Sequence, residues 1–153
     1  MDALAAALGR IPSGLFVLTC QPSRKPVGML ASWVMQAGFR PPMVTMALAK
    51  DRPFIASLAK CSLCVVNILP THSKDILIRF GKPEADSDPF SGLELVENLH
   101  PPVLARAHAY LMGKPVETLD SADHRIVLLE IMEGNILHQG EPVVHIRRNG
   151  MNY

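Results

Sequence analysis

At 153 residues the chain has the length of one domain, and 48% apolar against 19% charged residues excludes a disordered segment. A formal charge of +1 with six histidines neutral gives no electrostatic pull toward nucleic acid or an anionic membrane, and no apolar run approaches the roughly 20 residues that cross a bilayer. Three cysteines, Cys20, Cys61 and Cys64, are an odd number that suits a reducing compartment, so a soluble, cytoplasmic, single domain over residues 1–153 is expected.

The opening stretch from Met1 to Leu8 carries Asp2 and lacks a basic leader, which argues against a targeting peptide. Its Ala and Leu content, ending at Gly9, predicts a short helix. Residues 14–20 favour a strand, and Pro22, Ser23 and Pro26 mark the turn that follows. A second extended run covers residues 27–35 and stops before Gly38 and Pro41-Pro42; residues 43–48 give a third, and the three suggest a meander. Asp51 is the expected N-cap of a helix through Lys60, with Arg52 and Pro53 in its first turn. Residues 63–69 read as a strand closed by Pro70, and Thr71 or Ser73 caps a helix ending near Phe80-Gly81. The polar residues 82–91, with two prolines, form a long loop that is either a lid or a mobile connection.

In the second half, residues 105–111 alternate, with Ala105, Ala107, Ala109 and Leu111 on one face and Arg106, His108 and Tyr110 on the other. Residues 125–132 are apolar enough to be buried on both faces, with Glu130 the exception, and residues 142–146 predict a last short strand before Arg147-Arg148. Six or seven short strands with few helices do not make a doubly wound sheet. The expectation is a mainly β fold, a small barrel with a few short peripheral helices.

No glycine-rich dinucleotide fingerprint, phosphate-binding loop or nucleophile elbow is present, which weighs against a Rossmann dehydrogenase, a nucleotide triphosphatase and an α/β-hydrolase. Cys61-x-x-Cys64 has no second pair and Cys64 lies in an apolar run, so packing is favoured over zinc or redox chemistry, and no metal ligands are assigned. His108 reads as a structural or surface histidine. Asp123-His124 either orients an imidazole toward a ligand or stabilises a turn.

Three blocks in order carry a resemblance. Ile11-Pro12-Ser13-Gly14-Leu15-Phe16-Val17-Leu18-Thr19 precedes Gly28-Met29-Leu30-Ala31-Ser32-Trp33-Val34-Met35-Gln36-Ala37-Gly38 and Pro41-Pro42; Val65-Val66-Asn67-Ile68-Leu69 follows; Ser121-Ala122-Asp123-His124 leads into Glu133-Gly134. Together with Glu141-Pro142-Val143-Val144 and Tyr153, they resemble the flavin reductase-like family, especially its short, flavoredoxin-like forms. The resemblance implies a split β-barrel that binds FMN, sometimes FAD, works as a homodimer, and takes electrons from NADH or NADPH to pass to flavin or a redox partner protein. It places Met29, Leu30, Ala31, Ser32 and Trp33 beside the flavin, Lys50, Asp51 and Arg52 at the ribityl phosphate, and Asn67 and Leu69 on the bordering strand. His124 occupies the histidine of the family's Gly-Asp-His turn and is the candidate catalytic residue, for tuning or proton delivery. The family carries hydroxyl side chains at several positions where this chain has Leu30, Trp33, Gln36 and Gly38, and Trp33 is bulky enough to stack on or partly fill the flavin site. The alternatives are a non-enzymatic flavin-binding electron-transfer module, and a haem-binding or cofactor-free split-barrel interaction protein.

Overall fold

The computed structural model describes residues 2–153; Met1 of the opening stretch lies outside the described residues. The elements in chain order are α1 (Ala3–Leu8), β1 (Phe16–Cys20), β2 (Val27–Ala31), β3 (Val34–Phe39), β4 (Pro42–Ala49), α2 (Pro53–Leu58), β5 (Cys64–Ile68), α3 (Lys74–Gly81), β6 (Ala109–Ser121) and β7 (His124–Ile136). All seven strands join one antiparallel sheet in the order β2-β1-β5-β6-β7-β4-β3.

The ends of that order do not stay apart. Leu18 and Cys20 of β1, Ala31 of β2, Val66 of β5, Val127 and Leu129 of β7, and Met46 and Leu48 of β4 share one buried cluster, with Val34 of β3 packed against it. A sheet whose two edges bury their side chains together has rolled into a barrel, and the edges β2 and β3 flank the seam. Phe54 and Leu58 of α2 enter the same cluster. On the outer face, Ile76 and Phe80 of α3 pack with Val17, Leu69, Phe90 and Leu104. Burying these side chains stabilises the barrel by roughly 1.5–3 kcal/mol for each large apolar group removed from water.

Several boundaries differ from the expectation. The extended run over residues 27–35 is broken at Ser32 and Trp33, where the Trp33 carbonyl accepts the Ala47 amide at 2.9 Å, and β3 continues past Gly38 to Phe39 through a bulge. Helix α2 starts at Pro53 and has Arg52, not Asp51, at its N-cap, without a side-chain cap bond. Ser73 is at the N-cap of α3, but its hydroxyl donates to the Pro70 carbonyl instead of the helix.

Strand β6 starts only at Ala109 and runs on to Ser121, carrying Gly113 and Pro115 at register shifts. Burial on both faces belongs to β1 and β5, not to β7, because a layer formed by α3 and residues 95–107 covers their outer side. Residues 142–146 make isolated bridges, Pro70 to Pro142 and Ser13 to His145, and no strand. His108 buries Nδ1 with no hydrogen-bond partner among the described residues.

Cys20 and Cys64 are buried in the barrel and Cys61 packs against it, all three as free thiols. Burial, and secondarily Cys61, push the Cys64 thiol up to about 12, and burial first also raises Cys20, so both are held as packing thiols. No helix among the described residues is long and apolar enough to cross a membrane.

Candidate functional site

Residues next to the barrel seam line two adjoining clefts. The larger, of about 870 Å³, is walled by Trp33, Lys50, Asp51, Arg52, the Ser121–His124 turn (β7 beginning at His124), Arg147 and the segment from Gly150 to Tyr153. The smaller, of about 220 Å³, is lined by Met29, Leu30, Ala31, Ser32, Leu77 and Gly81. Arg52, Arg147 and Tyr153 line both.

The local chain explains this convergence. Strand β2 pairs only with β1, so its outer edge leaves main-chain amides and carbonyls without sheet partners, next to Ser32 and Trp33 where the chain turns into β3. Strand β4 runs out at Ala49, and the Lys50 amide donates to the Asp123 carbonyl at 2.9 Å, tying the β4–α2 connection to the β6–β7 turn. That turn places Ala122 at φ 50°, in the left-handed region where glycine is easier to accommodate, and it aims His124 toward Trp33.

Aromatic and charged groups are layered there. The Trp33 and His124 rings are 4.7 Å apart, the Arg147 guanidinium lies 4.9 Å over Trp33, and the Tyr153 ring is 5.7 Å from Trp33. His124 Nδ1 is 2.8 Å from Asp123 Oδ1 and Nε2 is 2.7 Å from the Tyr153 hydroxyl. The hydrogen bond with His124 holds the Asp123 carboxyl below the usual carboxylate range. Lys50 is shared with Asp120 at 3.4 Å, and Asp120 also takes the Arg125 guanidinium at 2.8 Å; among the described residues Arg52 and Arg147 have no carboxylate partner.

Nine of the eleven predicted site residues therefore line these two clefts: Met29, Leu30, Ala31, Ser32, Trp33, Lys50, Asp51, Arg52 and His124. Asn67 and Leu69 line neither. Asn67 is fully buried, with Nδ2 donating to the Val17 carbonyl at 2.9 Å and Oδ1 accepting the Leu104 amide at 2.8 Å, and Leu69 packs beneath α3. The loop over residues 82–91 lines neither cleft; Arg79 donates to the Ser91 carbonyl and Phe90 packs on Phe80, which fix its end against α3. Arg147 and Tyr153 line both clefts and were not selected by sequence reasoning. Arg147 showed only as half of a basic pair, and Tyr153 only as a family-like end.

A small antiparallel barrel with a cation-rimmed, aromatic-lined cleft at its seam belongs to the class of small split β-barrels. The chain belongs to the flavin reductase like domain family, whose model matches residues 8–152. It is 34% identical to Diflavin flavoprotein A 1 of Synechocystis over 154 aligned positions, covering 98% of this chain but 27% of that protein, so the chain spans about a quarter of that relative. Its fold superposes on the NADH:FAD oxidoreductase SgcE6 of Streptomyces globisporus with a TM-score of 0.85 at 23% identity, covering 94% of this chain and 87% of that one; a second structure of that enzyme holds NAD and FAD fragments. The styrene monooxygenase flavin reductase of Pseudomonas putida superposes with a TM-score of 0.82 at 18% identity, over 95% and 93% of the two chains.

Proposed function

We propose that the chain binds a flavin, FMN with FAD as the larger alternative, in the adjoining clefts, and that it accepts electrons from NADH or NADPH for transfer to free flavin or a redox partner. The observation that carries this is that Arg52, Arg147 and Tyr153 line both clefts, so the β2 edge and the Lys50–Arg52 corner serve one ligand-sized space. Family membership, and the NADH:FAD chemistry named for the Streptomyces relative, support it.

The residues present suit a flavin. Trp33 offers a flat π face, the unpaired main-chain groups of β2 can pair with a ring bearing imide and carbonyl groups, and Arg52 and Arg147 can carry phosphate charge. Bound flavin would supply the hydride and electron chemistry, while the chain binds, orients and shields it. Met35 and Phe39, exposed on edge strand β3 beside an apolar groove of about 360 Å³, support a second copy of the chain as partner. Three free cysteines support a cytoplasmic setting.

An absorbance-monitored titration with FMN and then FAD, followed by anaerobic addition of each nicotinamide nucleotide, tests the proposal. Saturable flavin binding and bleaching by NADH or NADPH are expected, with Trp33→Ala weakening binding about tenfold, a loss of about 1.4 kcal/mol. Binding without bleaching would move the chain to the class of electron-transfer modules. Failure to bind either flavin would remove the proposal.

A further inference from the structure

Both nitrogens of His124 are occupied within the chain. Nδ1 faces the Asp123 carboxylate at 2.8 Å, and a carboxylate only accepts, so Nδ1 carries hydrogen and Nε2 of the neutral ring is left as an acceptor. The proton between Nε2 and the Tyr153 oxygen, 2.7 Å away, then belongs to the phenol. With the ring stacked beside Trp33, His124 keeps no nitrogen for a ligand, and the open end of the series is the Tyr153 oxygen. Tyr153 is 72% exposed and lines both clefts.

Its position is built by the preceding residues. The Gly150 amide donates to the Ala5 carbonyl at 2.7 Å, and a Cβ at Gly150 would run into Leu8, so the chain is held close to α1. Arg147 Nη1 donates to the Asn152 carbonyl at 3.3 Å while its guanidinium covers Trp33. The main chain next to Tyr153 is thereby tied to a side chain that already belongs to the site.

We propose that the Tyr153 hydroxyl, and not the His124 imidazole, is the group that exchanges a proton with the ligand in the cleft, with His124 and Asp123 as positioning residues behind it. This rests on the flavin-binding function proposed above. In the accepting direction, a proton of the ligand passes to the Tyr153 oxygen as the Tyr153 O–H proton passes to His124 Nε2, and the reverse returns it to the ligand. The ring that has taken the proton is held by Nδ1–H on Asp123, and the proton leaves only back through the Tyr153 oxygen; no electrons move. Lys50, Arg52 and Arg147 supply the positive groups around this series, and Asp51, Asp120 and Asp123 the negative ones.

The first test needs no flavin. Nitrogen-15 NMR of the His124 ring in the flavin-free chain should show Nε2 as a hydrogen-bonded acceptor, and Tyr153→Phe should shift it toward the free imine position; an unchanged shift overturns the proposal. The second compares Tyr153→Phe, His124→Gln and the double variant in NADH-dependent flavin reduction across pH. A terminal Tyr153 donor predicts a loss of about 10²-fold for each single variant, no further loss in the double, and a flattened pH profile in Tyr153→Phe. If His124 acts directly, Tyr153→Phe frees Nε2 and stays within about twofold of the parent while His124→Gln loses activity, and the proposal falls. If the parent chain takes up no flavin, the flavin function falls and the Nε2 shift alone decides the Tyr153 assignment.

Discussion

Asn67 stands in the middle of an otherwise apolar strand, and its side chain links two layers of the molecule. Through Nδ2 it holds the Val17 carbonyl of β1, and through Oδ1 the Leu104 amide of the outer layer. Removing the side chain leaves the buried Leu104 amide without this acceptor, a cost of about 1–3 kcal/mol, while the Val17 carbonyl keeps its place in the β1–β5 ladder. Asn67→Ala is therefore expected to lower stability by roughly 1–3 kcal/mol, read as a fall in urea midpoint, and Asn67→Asp to retain only the Leu104 bond. A loss below about 1 kcal/mol would show that water replaces the amide. Ala122 is a second residue whose backbone matters more than its side chain. It stands where the family-like turn expects glycine and takes the left-handed conformation that such a glycine would adopt.

Helix α3 is held to the barrel by its apolar face and, at its first turn, to the neighbouring segment of the outer layer by an ion pair between Asp75 and Arg106. The hydrogen bond from Arg106 holds the Asp75 carboxyl below its ordinary range. A depressed carboxylate contributes stability above the unfolded value of about 3.9, and the contribution disappears as pH falls through the lower folded value. Both groups are half-exposed, so solvent screening limits the pair to about 0.5 kcal/mol. Asp75→Asn should be slightly less stable than the parent at pH 7 and should match it in strong acid, when urea midpoints are compared at the two pH values. A gap that persists in acid would assign the effect to something other than charge.

The elements also show what the chain pattern could reveal. Alternation and β-branched runs marked β1, β4, β5 and β7, because each is a stretch of buried faces with turn residues beyond it. Strand β6 extends past the alternation that ends at Leu111, and Gly113 and Pro115 sit in it at register shifts, where a missing ladder bond is tolerated. Nine of the eleven residues that the family-like blocks pointed to line the candidate clefts. The His124–Tyr153 bond and the Arg147–Trp33 stack were not legible in the sequence, because both join residues far apart in the chain through the fold alone.

At the scale of the whole molecule, the apolar edge at β3 is left exposed by the packing of the chain on itself. Phe39 is 83% exposed and Met35 68% exposed, next to a groove walled by Phe16, Val34, Met43 and Leu111. If this edge meets a second copy, sedimentation will give twice the mass of the chain, and Phe39→Glu will shift the population to monomer at micromolar concentration without changing the far-ultraviolet spectrum. A parent chain that sediments as a monomer at high concentration would remove the dimer.

The strand order has a consequence for how the protein is made. Strands β3 and β4 leave the ribosome early, but the outer partner of β4 is β7, and β1 must wait for β5. Until residues 124–136 have emerged, the greasy inner surfaces of the first half have no roof, and synthesis passes through a period in which holdase chaperones compete with self-association.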